Sequence, residues 1–184
     1  MERHKTTIKE YKIIENRQIA ALLNPRPAVL VTCCNRSFVP NVLTAAWHTP
    51  LSHNPPLLGI SIDLRRYSNG LIRDHKEFVI NLVSREFKSA VECCGSKSGR
   101  EGDKFTAAGL VYQPAHNVCP PVIVGALAHL ECKVVNELQT GDHTLFIGNV
   151  VYAEALVDSF SDGWEQPEGQ VLLCIQRDRF GSWT

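Results

Sequence analysis

The chain has 184 residues and a mass of 20.5 kDa, a length that suits one domain with a sizeable core. Hydrophobic residues make up 44% and charged residues 21%, and 19 basic side chains balance 19 acidic ones. These values argue against disordered, collagen-like and nucleic-acid-coating classes. We therefore expect residues 1–184 to form a single domain without a nucleic-acid partner.

Strands dominate the predicted elements. Runs of apolar and β-branched residues that are bounded by turn residues are typical of strands. In chain order these runs cover residues 28–34, 39–47, 57–62, 78–83, 122–135, 145–154 and 171–177. Only short helices separate them, whereas a parallel sheet needs longer crossover helices. The sequence therefore predicts a mainly β fold, an antiparallel barrel with peripheral short helices.

Short helices are predicted at residues 15–23, 68–74 and 86–93, with Ser68 as the N-cap of the second. Residues 95–102 follow the third helix and contain three glycines, two serines and no large apolar residue. Such a composition indicates a mobile loop. Because this loop leads into Lys104, we expect it to cover a bound ligand.

Seven cysteines are present, and two pairs of them, Cys33-Cys34 and Cys93-Cys94, are adjacent in sequence. Neighbouring residues of a strand point to opposite faces, so Cys33 and Cys34 would be poor ligands for one ion. No Cys-x-x-Cys motif occurs. We expect reduced, structural thiols and no metal site.

The start of the chain and its longest uncharged run bear on location. Met1 is followed by Glu2, Arg3, His4 and Lys5 instead of an apolar segment, which does not resemble a secretory signal. The uncharged run at 105–130 is interrupted by prolines and polar residues. We expect a cytoplasmic protein without a membrane partner.

Charge is distributed unevenly along the chain. Residues 1–104 carry 16 Lys or Arg against 10 Asp or Glu, and residues 105–184 carry 3 against 9. This split can place a compact basic pocket on a neutral protein, enough for one phosphorylated small molecule. Two solvated faces of opposite charge would explain the same split.

Residues 61–72 combine a strand end, Arg65, Arg66, the hydroxyl of Ser68 and the start of a helix. Helix N-termini offer unpaired N–H groups and a positive dipole end, and arginine adds paired donors. This combination suits a phosphate monoester. A surface helix with a serine cap and two solvated arginines is the alternative interpretation.

The strand at 39–47 ends in Thr44, Ala45, Ala46 and Trp47. Small side chains let a planar ligand approach the backbone, whose N–H and C=O groups can bind its polar edge. Trp47 could form a wall of the same site. A barrel strand whose alanines pack in a tight layer would have the same sequence.

A series of short motifs in residues 20–155 resembles the flavin reductase-like, FMN-binding split-barrel family, which includes the flavoredoxins. No single motif is decisive, but eight occur in order. The motifs are Pro25-Arg26-Pro27-Ala28-Val29-Leu30-Val31-Thr32, Asn41-Val42-Leu43-Thr44-Ala45-Ala46-Trp47, Asn54-Pro55-Pro56, Ile60-Ser61-Ile62, Arg66-Tyr67-Ser68, Glu77-Phe78-Val79-Ile80-Asn81, Asp103-Lys104-Phe105, and Gly141-Asp142-His143 through Gly148.

The resemblance implies a homodimeric, Greek-key-like antiparallel split β-barrel with FMN near the subunit interface. It places the stretch Thr44, Ala45, Ala46 and Trp47 along the isoalloxazine ring. The other residues that it assigns to the cofactor are Ser61 near the flavin, Arg66, Tyr67 and Ser68 at the phosphate with Arg65 as a rival to Arg66, and Asn81 and Lys104 as further contacts.

The resemblance also implies an oxidoreductase that accepts hydride from NADH or NADPH. Electrons would then pass to free flavin, ferric iron or an acceptor protein. It assigns His143 to catalysis, because an imidazole there could bind the flavin edge or orient the donor carboxamide. A turn histidine that caps a hairpin would have the same sequence.

Other readings keep the same barrel. In one, a flavoredoxin-like electron carrier is reduced by a redox protein instead of a nicotinamide. In another, the barrel binds no flavin. Near the C-terminus, Phe180 and Trp183 could stack on a ligand or seal the dimer, and we expect sealing.

Overall fold

The computed structural model describes residues 10–164, 171–176 and 179–182. In chain order the strands are β1 (Arg26–Pro27), β2 (Val29–Cys34), β3 (Pro40–Ala45), β4 (His48–Ser52), β5 (Leu57–Asp63), β6 (Glu77–Leu82), β7 (Tyr112–Gln113), β8 (Val122–Ile123), β9 (Ala128–Thr140), β10 (His143–Ala155), β11 (Leu173–Gln176) and β12 (Arg179–Gly181). The α-helices are α1 (Tyr67–His75), α2 (Lys88–Ser96) and α3 (Lys104–Ala108), and 3₁₀ helices cover Asn16–Leu23 and Arg85–Phe87.

A seven-stranded sheet is the centre of the fold. Its strand order is β3-β2-β6-β9-β10-β5-β4, and every neighbouring pair is antiparallel. A smaller sheet has the order β1-β11-β12. The prediction of a mainly β, antiparallel architecture with short helices is confirmed.

Strand β2 is buried along its whole length. Leu30 belongs to the core on one side of the sheet, together with Val91 of α2. Val31 belongs to the core on the other side, together with Phe78 of β6. Because successive side chains point to opposite faces, a strand covered on both faces is apolar throughout, which explains the continuous apolar run in the sequence.

The hairpin of β9 and β10 packs closely against β6 at Gly148. A Cβ atom at this position would lie 2.6 Å from Cζ of Phe78 and 2.9 Å from Cβ of Cys132. The pairing of the hairpin shifts by one residue between Ile147 and Gly148. Glycine therefore lets the large ring of Phe78 lie directly on the strand backbone.

Several element boundaries differ from those predicted. Helix α2 continues to Ser96, so the glycine-rich loop begins at Lys97 instead of Gly95. The predicted strand at 122–135 is divided between β8 and β9 by a turn in which Gly125 has a φ of 84°. The strand predicted at 171–177 is shorter, and residue 177 lies outside the described residues.

Helix α3 was not predicted. The carboxylate of Asp103 accepts a hydrogen bond from the backbone N–H of Phe105 at 2.9 Å and so caps the helix. Gly109 ends the helix in the left-handed conformation, with a φ of 64°. With only five residues, α3 is too short to show a helical hydrophobic period.

None of the described helices is both long enough and apolar enough to cross a bilayer.

Candidate functional site

Two connected cavities lie where the end of β3 meets the start of α1 and the end of α2. The narrow cavity has a volume of about 330 Å³ and the wide cavity about 900 Å³. Leu43, Thr44, Asp63, Arg65 and Arg66 line both of them. A single ligand can therefore occupy the narrow cavity with one end and the wide cavity with the other.

The N-terminus of α1 faces the narrow cavity. Arg66 has extended backbone angles and occupies the N-cap position, and the first turn of the helix contains no acidic residue. The N–H groups of this turn and the positive end of the helix dipole are thus not neutralised by a carboxylate of that turn. Tyr67 and Ser68 also line the cavity.

Ser68 is not the N-cap, and that prediction was wrong. Its side chain is buried inside the first turn, where Oγ accepts a hydrogen bond from Nδ2 of Asn41 at 2.7 Å. The error arises because a serine near a helix start has the same sequence signature in either position. The bond fixes Ser68 between α1 and β3, and the same hydroxyl also interacts with the buried thiol of Cys33.

The two adjacent arginines differ in their partners. Arg65 forms an ion pair with Asp63, with Nη2 and Oδ2 separated by 2.6 Å, and its hydrogen bonds hold the pKa of that carboxyl well below its usual range. Arg66 donates from Nη1 to the carbonyl of Gly95 at 2.9 Å. A carboxylate neutralises the charge of Arg65, whereas Arg66 donates to an uncharged carbonyl. Arg66 is therefore the better ligand for an anion.

Lys104 adds a buried cation to the narrow cavity. Its side chain is 6% exposed, and Nζ donates to the carbonyl of Cys94 at 2.7 Å. Burial lowers the pKa of this amine from its usual 10.5. A buried ammonium is costly unless an anion compensates it, so its position beside Arg66 favours an anionic ligand.

The predicted ring-binding residues Thr44, Ala45, Ala46 and Trp47 all line the wide cavity. Thr44 is anchored to α2, because its Oγ1 donates to the carbonyl of Val91 at 2.6 Å. The backbone N–H of Ser61 donates to the carbonyl of Trp47 at 2.8 Å and brings Ser61 to the same wall. These contacts hold one planar side of the cavity in place.

His143 reaches the wide cavity from the start of β10. Its ring stacks on that of Trp47, with centroids 4.7 Å apart and an angle of 20° between the planes. Nδ1 lies 2.6 Å from Oδ1 of Asp142. In the neutral ring a carboxylate on Nδ1 retains the proton there, so that Nε2 carries the lone pair.

Asn81 does not reach either cavity. Its side chain is fully buried in the sheet, where Nδ2 donates to the carbonyl of Leu30 at 3.0 Å and Oδ1 accepts from the N–H of Ile123 at 2.8 Å. The expectation that Asn81 contacts a cofactor is therefore corrected. Its amide satisfies backbone groups within the barrel instead.

Residues 22–182 match the family model described as "Flavin reductase like domain". The chain belongs to this family. An uncharacterized protein of Archaeoglobus fulgidus is 40% identical over 124 residues, which are 67% of this chain and 70% of that protein. The resemblance seen in the motifs is thus confirmed by similarity over most of the chain.

Solved structures confirm the fold of this family member. The FMN-binding protein from Thermus thermophilus, solved with bound 1-cyclohex-2-enone, is 27% identical and has a TM-score of 0.85, covering 96% of this chain and 97% of the other. A split-barrel protein of Shewanella frigidimarina is 19% identical, with a TM-score of 0.81 over 93% and 90% of the two chains. The predicted split β-barrel is therefore confirmed.

The glycine-rich loop, which we expected to cover a bound ligand, contributes three residues to the narrow cavity that the sequence did not single out, namely Lys97, Ser98 and Gly99. A Cβ atom on Gly99 would lie 2.1 Å from Oδ1 of Asn41, so only glycine allows the loop to approach this closely. Composition identified the loop, because small residues permit close backbone approach to a ligand, but it did not distinguish these three positions from the rest of the loop.

Metal chemistry has no support in the described part of the chain, which contains no cluster of His, Cys, Asp or Glu able to hold an ion. Cys33 and Cys94 lie near the narrow cavity, and burial raises the pKa of each thiol to about 11. Protonated thiols are poor nucleophiles and poor metal ligands.

Phe180 lines the wide cavity, beside Cys174 of β11. This placement brings it to the ligand site, although we expected it to seal a dimer. Trp183, its predicted companion, lies outside the described residues.

Proposed function

We propose that this chain binds FMN and catalyses hydride transfer from NADH or NADPH to it. Electrons then leave to free flavin, ferric iron or a protein acceptor. The observation that carries the proposal is the pair of connected cavities. The narrow cavity is lined by four basic residues, among them Arg66 at the start of α1 and Lys104 at the start of α3. The wide cavity is lined by small residues and an indole.

The residues present fit FMN at both ends. Arg66, Lys104 and the N-terminus of α1 supply donors for a phosphate monoester in the narrow cavity. The wide cavity, at about 900 Å³, is within the size range of small-molecule sites and has room for a ring system. The related Thermus thermophilus protein, 27% identical, binds FMN, which supports the same ligand here.

Bound FMN supplies the capacity to accept hydride and to release electrons, so the chain itself needs no nucleophile. Arg66 and Lys104 hold the phosphate end. Thr44 and Trp47, tied to α2 and β5 by their hydrogen bonds, fix the wall along which a planar ring lies. Both ends are thus positioned by residues on regular elements.

His143 orients the nicotinamide in this proposal. Asp142 retains the proton on Nδ1, so that Nε2 can accept a hydrogen bond from a carboxamide N–H. Stacking on Trp47 holds the imidazole plane at the cavity wall. The role is positional, because hydride transfer moves no proton through this ring.

A binding and turnover experiment tests the proposal. Purified protein is loaded with FMN, its visible spectrum is recorded, and oxidation of NADH and of NADPH is followed with free flavin as acceptor. We expect retained FMN and turnover with at least one nicotinamide. FMN binding without oxidation of either nicotinamide would instead indicate an electron carrier reduced by a protein partner.

Substitutions at the narrow cavity test the phosphate assignment. Arg66→Ala and Ser68→Ala each remove a contact to the phosphate, and each should weaken FMN binding about tenfold or more. Arg65→Ala should have a smaller effect, because Asp63 already neutralises that side chain. Arg36→Ala is the matched control, since Arg36 is 80% exposed and pairs with Asp74 on the surface. Equal affinities for all four variants would contradict the assignment, and titration by flavin fluorescence measures them.

We also propose that the protein is a homodimer and works in the cytoplasm. Support for the dimer comes from the family resemblance, which places the flavin near a subunit interface. Light scattering coupled to gel filtration measures the mass in solution. A particle of 20.5 kDa would contradict the dimer.

A further inference from the structure

Arg26 is the basic residue of the first motif, and the function proposed above leaves it without a role. It lies in β1 and is held in a defined orientation by two hydrogen bonds. Nε donates to Oδ1 of Asn24 at 3.2 Å, and Nη2 donates to the carbonyl of Ala20 at 3.0 Å. The side chain is half-buried and lines the wide cavity.

Within the described residues, the charge of Arg26 has no carboxylate within ion-pair distance. Both of its hydrogen-bond acceptors, Oδ1 of Asn24 and the carbonyl oxygen of Ala20, are uncharged. Arg65 in the same cavity is neutralised by Asp63, and Arg66 also lines the narrow cavity. Arg26 is thus an uncompensated guanidinium at a ligand cavity.

Arg26 is also separated from the phosphate end. It lines the wide cavity but is absent from the lining of the narrow one. Its Cζ lies 5.9 Å from the centroid of the Trp47 ring, which also stacks on His143. The cation therefore lies beside the aromatic pair of Trp47 and His143, at the part of the wide cavity where His143 would orient a second ligand.

We infer that Arg26 binds an anionic group, a phosphate or a carboxylate, of the second ligand that shares the wide cavity with FMN. The inference rests on the proposed function and extends it by assigning the charge of that ligand. A guanidinium presents paired donors that match a phosphate or a carboxylate. The source of the group is either the phosphates of a nicotinamide dinucleotide or the carboxylate of an electron acceptor.

Charge-matched ligands and three variants test the inference. The variants are Arg26→Gln, Arg26→Lys and the control Arg36→Gln, which removes an equal charge from the surface. With FMN-loaded protein, KM is measured for NADH, for NADPH and for uncharged 1-benzyl-1,4-dihydronicotinamide. Binding of benzoate and of uncharged benzamide is measured from the change in flavin absorption. Melting temperature and FMN content report whether each variant is folded and loaded.

If Arg26 binds a dinucleotide phosphate, Arg26→Gln should raise KM for NADH or NADPH about tenfold and leave kcat unchanged. KM for the uncharged benzyl analogue should stay the same. Arg26→Lys should give a KM for the dinucleotide between those of wild type and Arg26→Gln. For a carboxylate, Arg26→Gln should instead weaken benzoate about tenfold and leave benzamide unchanged. Either result supports the inference.

Equal effects of Arg26→Gln on charged and uncharged ligands would overturn the inference and leave Arg26 as a cap of the 3₁₀ helix at Asn16–Leu23. If Arg26→Gln does not fold, Arg26→Met is used instead, because it also removes the charge. Equal effects of Arg26→Met on charged and uncharged ligands would overturn the inference in the same way. A wild-type protein that binds no FMN would overturn the proposed function itself. These outcomes are distinguishable by the visible spectrum.

Discussion

Lys104 lies in an environment that is unusual for a lysine. Lysine side chains are almost never fully buried without a partner. Here the ammonium lies at 6% exposure beside Arg66, and burial lowers its pKa. A bound phosphate would compensate the charge and raise that pKa again, so ligand binding and proton uptake are coupled at this residue.

FMN affinity should therefore fall at alkaline pH. In the proposed function the charged form of Lys104 binds the phosphate, and this form is lost as pH rises through the lowered pKa of the free protein, below the usual 10.5. Lys104→Met should remove this pH dependence together with part of the affinity. Fluorescence titration with FMN at a series of pH values from 7 upward measures both effects.

Lys133→Met is the control for this pH dependence. Lys133 is about half exposed and pairs with Glu77 on the surface, so its loss removes one positive charge away from the cavities. It should leave the pH profile of FMN binding unchanged. Identical profiles for wild type and Lys104→Met would show that Lys104 does not sense the phosphate.

At the scale of elements, the sequence predicted the strands well where burial makes them apolar. Strands β2, β5 and β6 are recognisable because their residues are continuous apolar or β-branched runs. Strand β4 (His48–Ser52) was missed as a separate element, because its sequence is polar and contains a proline. Such a strand lies at the edge of the sheet, where its pairing with β5 decides its structure.

Substitution of alanine for glycine should have opposite effects on stability at two positions, Gly148 and Gly70. Gly148→Ala should destabilise the protein by about 1–3 kcal/mol, because the new Cβ would overlap Phe78 and Cys132. Gly70→Ala should stabilise it by about 0.5–1 kcal/mol, since the position is exposed within α1 and nothing lies within 4 Å of the new atom. Urea denaturation measures both.

Gly70→Ala is the internal control for Gly148→Ala, because both variants add one carbon atom to the chain. If the two variants had equal free energies of unfolding, the close packing of β10 on Phe78 would be contradicted.

At the scale of the whole molecule, the site is assembled from segments that are distant in sequence. Arg66 begins α1, Lys104 begins α3, and His143 begins β10. Residue patterns alone predicted the anion site at the start of α1, because its components are contiguous. They could not bring Lys104 to the narrow cavity or His143 to the wide cavity, since these positions depend on the packing of the barrel. The family resemblance supplied those two positions, and it also supplied Asn81, which the structure keeps inside the barrel.

Binding of FMN in the two cavities should stabilise the whole domain, because residues from helices and strands that are far apart in the chain line these cavities. At a free FMN concentration about 100 times the dissociation constant, the gain is about 2.7 kcal/mol, or about 5–10 °C in melting temperature for a domain of this size. Differential scanning fluorimetry with added FMN measures the shift.

The phosphate-site variant Arg66→Ala should show a much smaller shift at the same FMN concentration, and the surface variant Arg36→Ala the full one. An equal shift in all three proteins would place the ligand away from the two cavities.

The interior position of Lys104 affects whether the protein binds FMN or its dephosphorylated form, riboflavin. Riboflavin has the same tricyclic system but no phosphate, so it would leave the ammonium buried without a counterion. The barrel should therefore discriminate against the dephosphorylated compound by about tenfold or more. Removal of the phosphate from FMN by a phosphatase should therefore lower its occupancy in the protein.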